Sequence, residues 1–135
     1  MKNSRRDFLI KSAVMAAAPA LVMEKTQTKK NNQFIHHVFF WLNENNKANR
    51  DKLIEGLRKL TKVNEIKSYH IGIPSKSDRV DGVVVTDYSV SWTTFYASAD
   101  AEKKYQVDPI HLQFVEDYKH LWKKVVVYDT EAVIF

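Results

Sequence analysis

The sequence predicts an α+β domain with the element order β-α-β-β-α-β. Four short stretches rich in β-branched and aromatic residues are broken once by a run at helical spacing and once by two capped helical pieces. The first of these stretches is apolar on both faces, so the sheet needs cover on both sides. A length of 135 residues points to one domain.

Residues 1–33 stand outside that order. MKNSRRDFLIKSAVMAAAPALVM starts basic and continues into a short apolar run from Ala13 to Met23. Ala16-Ala17-Ala18-Pro19-Ala20 offers small residues for cleavage. Ser4-Arg5-Arg6-Asp7-Phe8-Leu9 resembles the twin-arginine export signal, whose pattern is Ser-Arg-Arg-any-Phe-Leu. Residues 1–20 therefore read as a signal peptide and 21–33 as a disordered polar linker. Residues 34–135 read as the folded domain. This predicts a bacterial protein exported to the periplasm or cell surface. Its only expected contact with a membrane is the uncleaved signal segment.

The elements follow in order. FIHHVFFWL, Phe34 to Leu42, reads as a strand. NENNKAN supplies a turn and a helix cap, and RDKLIEGLRKLTKV then repeats Leu53, Ile54, Leu57 and Leu60 at helical spacing. Gly56 weakens that helix slightly. Ile66 to Ile73 is a second strand, and Pro74 to Gly82 a polar loop. Val83 to Tyr96 reads as a long third strand. Ser98 caps a short helix through Tyr105. Asp108 caps another, with Pro109 in its first turn, where a missing N–H costs nothing. Val125 to Phe135 closes as the fourth strand. The order is that of a ferredoxin-like fold with a four-stranded antiparallel sheet.

Two helical layers cover only one face of such a sheet. On the first strand one side carries Phe34, His36, Val38, Phe40 and Leu42, the other Ile35, His37, Phe39 and Trp41. Because both are apolar, a second copy of the sheet is the simplest cover for the open face. The expected assembly is a homodimer whose paired sheets form a barrel.

Composition excludes several functions. Without cysteine there are no disulfides, thiolate metal sites or cysteine nucleophiles. The net charge is +5, of which +3 falls in residues 1–20, so residues 21–135 carry +2. That is too little to argue for nucleic acid. No phosphate loop, nucleophile elbow or carboxylate pair is visible. His36 and His37 point to opposite faces, and His37, His70 and His111 share no ligand spacing, so neither metal nor cofactor is expected.

His111 draws attention for its place in the helix. At about 100° per residue from Ile110, Leu121, Phe114 and Val125 fall within about 60°. Tyr118 comes near 80°, His111 near about 100° and Trp122 near about 120°. His111 thus lies between aromatics at the edge of the apolar stripe, and His120, near about 280°, faces solvent. Aromatic residues including Trp92, Tyr118 and Trp122 form either a core or a pocket for an apolar or aromatic small molecule.

His37-Val38-Phe39, Tyr105, Asp108-Pro109-Ile110-His111, Phe114, Trp122 and Tyr128-Asp129 stand in an order that resembles the stress-responsive dimeric α/β-barrel family, often called Dabb. The resemblance implies a homodimer with a cavity between sheet and helices. A plant cyclase of the family closes a polyketide by aldol condensation through a tyrosine and a histidine six residues apart. That pair maps onto Tyr105 and His111, and the family's strand histidine onto His37. Asp108 stands where that cyclase has another histidine, and Val90 stands near the place of a third. The implied roles are His111 as general base, Tyr105 as hydrogen-bond donor to a substrate oxygen, and His37 as a cavity contact. The functions in view are a small-molecule barrel catalysing cyclisation or isomerisation next to a carbonyl, a non-catalytic stress-response or carrier protein, and a cofactor-free oxygenase.

Overall fold

The computed structural model describes residues 33–76 and 82–133. The export signal and nearly all of the linker read from residues 1–33 lie outside the described residues. Strand β1 is Phe34–Leu42. Helix α1, Lys47–Leu60, starts where the Asn46 side chain accepts the Asn49 N–H at 2.8 Å. It buries Leu53, Leu57 and Leu60, an apolar stripe at helical spacing. Strand β2 is Ser68–Gly72 and β3 is Val90–Tyr96. Helix α2, Ala99–Gln106, is capped by Ser98, and α3, Pro109–Tyr118, by Asp108 with Pro109 in the first turn. A 3₁₀ turn, Lys119–Leu121, leads into β4, Trp122–Glu131.

The fold is ferredoxin-like α+β, with an antiparallel sheet of order β2-β3-β1-β4. Two strands differ from the sequence reading. The third strand begins at Val90, not Val83. Its ladder to β2 ends at the Gly72–Ser91 pair and its ladder to β1 at Phe40–Val90, and the strand starts where these two ladders do. The last strand starts early, at Trp122, because α3 ends at Tyr118 and one tight turn suffices. It stops at Glu131, opposite Phe34, where β1 begins.

The helices cover one face. Phe34, Val38, Phe40 and Leu42 of β1 and Val90, Trp92 and Tyr96 of β3 are buried there with the α1 leucines and Tyr105. Burying these aliphatic and aromatic side chains contributes about 1.5–3 kcal/mol each before ordering costs. The other face of β1 carries Ile35, His37, Phe39 and Trp41, all half-buried. Among the described residues no helix is long and apolar enough to cross a membrane.

Candidate functional site

A cleft opens between the sheet and α3. Val38, Phe40, Trp92, Phe114 and Trp122 make its walls, and His36, Tyr105 and His111 bring polar groups to it. Its volume is about 140 Å³. Edge strand β4 forms one side, where Val125 and Val127 line the cleft while staying 37% and 45% exposed. The cleft therefore opens to solvent along β4.

Tyr105 and His111 meet because a short break joins α2 to α3. The Asp108 N–H closes back on the Tyr105 carbonyl at 3.1 Å, and the Asp108 carboxylate caps α3. His111 then falls one turn into α3, with its ring centroid 4.5 Å from that of Tyr105. His111 Nδ1 lies 3.0 Å from the Gln106 carbonyl oxygen. A carbonyl only accepts, so Nδ1 carries the proton and Nε2 keeps its lone pair in the neutral ring. Burial pushes the imidazole below its ordinary pKa, and the Gln106 bond offsets part of that shift.

Tyr105 is 1% exposed, and its hydroxyl accepts the Trp92 indole N–H at 3.3 Å. Burial pushes the phenol pKa up; the Trp92 bond opposes this and the Glu102 charge adds to it. The phenol therefore stays protonated at any ordinary pH and keeps its own proton to donate. A neutral imidazole with a free lone pair beside a protonated phenol is a base paired with a hydrogen-bond donor.

The structure brings four of the sequence-predicted residues to one cleft: Tyr105, His111, Trp92 and Trp122. Two are elsewhere. His37 points to the opposite face of the sheet, where its cross-strand neighbours are Thr93 and Tyr128. The histidine in the cleft is His36, its ring 6.0 Å from that of Tyr105. Tyr118 lines a separate groove with Lys59, Ile110 and Asp117. Its hydroxyl accepts from Lys59 Nζ at 2.8 Å, and its ring stacks on Phe114. On α3 the buried residue is Phe114, while Ile110 is 36% exposed, so the true stripe is rotated toward His111.

The sequence reading gives no site role to Glu102 or to Asp129, which flank His36. Asp129 Oδ1 accepts from His36 Nδ1 at 2.6 Å, and Glu102 Oε1 lies 3.8 Å from the same nitrogen. Glu102 had a visible signal: it stands three residues before Tyr105 and so shares its inward helix face. Asp129 stands in the order that carries the family resemblance, but its place beside His36 depends on the register of β4 against β1.

Fold and cleft together define a ferredoxin-like α+β protein with a small pocket between sheet and helices. The chain belongs to the stress-responsive A/B barrel domain family, whose model matches residues 34–132. None of the curated proteins compared matches the chain. Several solved structures are similar in fold. A Dabb family protein with a ferredoxin-like fold from Mesorhizobium loti is 19% identical, with a TM-score of 0.60 over 75% of this chain and 97% of that one. A dimeric ferredoxin-like protein of unknown function from Thermobifida fusca is 17% identical, with a TM-score of 0.62 over 81% and 99%. The hydroxynitrile lyase from Passiflora edulis is 18% identical, with a TM-score of 0.60 over 76% and 95%.

Proposed function

We propose that this is an exported, homodimeric barrel protein whose cleft binds a small apolar carbonyl compound and moves a proton next to the carbonyl. The observation that carries the reading is the Tyr105–His111 pair at the polar end of an apolar cleft. His111 Nε2 takes the proton, while the Tyr105 hydroxyl donates to the oxygen on which negative charge builds. Trp92 holds Tyr105 in place and the Gln106 carbonyl holds His111, so neither group reorients during the step.

Size limits the ligand. A cavity of about 150 Å³ admits a benzene-sized molecule, and this cleft holds about 140 Å³. The structurally similar hydroxynitrile lyase is named for cleaving a hydroxynitrile, a step in which a base takes the hydroxyl proton, the C–CN bond breaks and cyanide leaves as the carbonyl forms. That likeness supports acid–base use of the fold. A panel of small hydroxynitriles, β-hydroxy ketones and enolisable ketones is the substrate set to assay.

On the active substrate, His111→Ala should lower the rate about 10²- to 10⁴-fold, the range for losing a positioned acid–base group. His120→Ala, at an exposed position, should leave it unchanged. Equal rates in the two variants would sink the assignment. Binding of the same compounds without turnover, unaltered by His111→Ala, would favour the carrier role.

The export part of the proposal rests on Ser4-Arg5-Arg6-Asp7-Phe8-Leu9. Replacing Arg5 and Arg6 together with lysine should leave precursor in the cytoplasm. Unchanged export would mean the general secretory route.

A further inference from the structure

His36, Glu102 and Asp129 come together from three elements. His36 and Asp129 are register partners on β1 and β4, and Glu102 descends from α2. One donor atom from each lies within 4.8 Å of the other two. His36 and Glu102 are 4% and 8% exposed, while the Asp129 side chain is 42% exposed. Besides its approach to His36, Glu102 takes a hydrogen bond from the Gln106 amide. Two carboxylates against one imidazole leave a local excess of negative charge. Buried charge of this kind is paired or binds a cation.

A second observation comes from β3. Thr94 Oγ1 and Tyr96 Oη are buried without a hydrogen-bond partner. Both residues are at most 1% exposed. Thr94 is the cross-strand partner of His36 and shares its face of the sheet, and Tyr96 follows two residues on, also on that face. The Tyr96 phenol senses the charges of both Glu102 and Asp129. Unpartnered buried hydroxyls are rare in native proteins. Both stand on the sheet face that carries His36, where water on a bound ion would satisfy them.

The geometry points to a divalent transition-metal site, with His36 Nδ1, a Glu102 oxygen and an Asp129 oxygen as its three protein ligands. Three protein ligands with a further position left to water is the arrangement of open zinc-type sites. One imidazole and two carboxylates without sulfur suit zinc and its first-row neighbours. Tetrahedral coordination at zinc distances separates ligand atoms by about 3.4 Å. The present separations from His36 Nδ1 are 2.6 Å to Asp129 and 3.8 Å to Glu102, one a little short and one a little long. Asp129, half exposed on an edge strand, has room to swing outward as the ion replaces the proton on Nδ1.

The intact chain titrated with Zn²⁺ alone, by calorimetry and by NMR of its imidazole signals, tests the site. One equivalent should bind per chain, and the His36 ring signals should move. Glu102→Gln and Asp129→Asn should each weaken binding about tenfold or more. His120→Gln should bind as the parent does. No stoichiometric uptake would overturn the proposal and leave the three groups as a hydrogen-bonded cluster. Uptake that survives both carboxylate variants and shifts only other histidines would overturn it equally. Should Glu102→Gln fail to fold, the half-exposed Asp129→Asn and the His36 signals still decide. No substrate enters these measurements, so their outcome is separate from that of the His111 assay.

Discussion

At His111, burial and a single backbone hydrogen bond set both the chemistry and the pH response. The folded pKa lies below the ordinary value of about 6.5. A group with a depressed folded pKa contributes stability that is complete above the unfolded value and is lost as pH falls through the folded one. Melting temperatures from about pH 7 down to about pH 5 should therefore fall further for the parent than for His111→Gln, which cannot titrate there. Parallel curves would show that His111 is not held neutral by the fold. The same scale shows why the sequence does not say which strand histidine enters the cleft. Strand alternation separates His36 from His37 but does not say which of two equally apolar faces meets the helices. The Tyr105–His111 spacing was legible because both lie on short capped helices whose starts are written in Ser98 and Asp108.

Between elements, α1 and α3 touch at Gly56 and Tyr118. By intrinsic preference alone, Gly56→Ala should strengthen α1 by about 1 kcal/mol. The packing reverses that expectation. A Cβ at Gly56 would lie 2.7 Å from Tyr118 Cε2 and 2.9 Å from Cγ, so the whole ring edge is in the way. Phe114 stacks on that ring with centroids 5.4 Å apart, and Lys59 holds its hydroxyl. Overpacking of this kind costs about 1–3 kcal/mol. Gly56→Ala should thus lower the melting temperature, and adding Tyr118→Ala should make the alanine at 56 favourable again. If Gly56→Ala is stabilising in the parent background, the helix contact described here is wrong. The glycine illustrates what one sequence leaves unread: the order of elements follows from periodicity and caps, but a close approach between two helices leaves no local pattern.

For the whole molecule, the open face of the sheet remains to be accounted for. Ile35, Phe39 and Trp41 lie there, the rings of Tyr88 and Tyr128 pack against Phe39, and Lys124 lies over Trp41. Val83, Val85 and Tyr128 beside them are 73%, 64% and 62% exposed. A monomer rarely leaves a continuous apolar patch of this kind uncovered. A sheet with one wet face would alternate apolar with polar, which β1 does not. The described chain has already used its helices on the other side. A second copy, face to face, is the cover that matches this surface, and the T. fusca structure of similar fold is a dimeric one. A stable interface takes about 800 Å² from each partner. Phe39→Asp places a charge at the centre of that face while leaving the helix-side core untouched. Light scattering should give twice the chain mass for the parent at micromolar concentration and a single chain mass for Phe39→Asp. The variant should keep its circular dichroism and the His111 environment, because the cleft lies on the other side of the sheet. A parent that is monomeric would remove the barrel, whereas a variant that stays dimeric would move the interface to another surface.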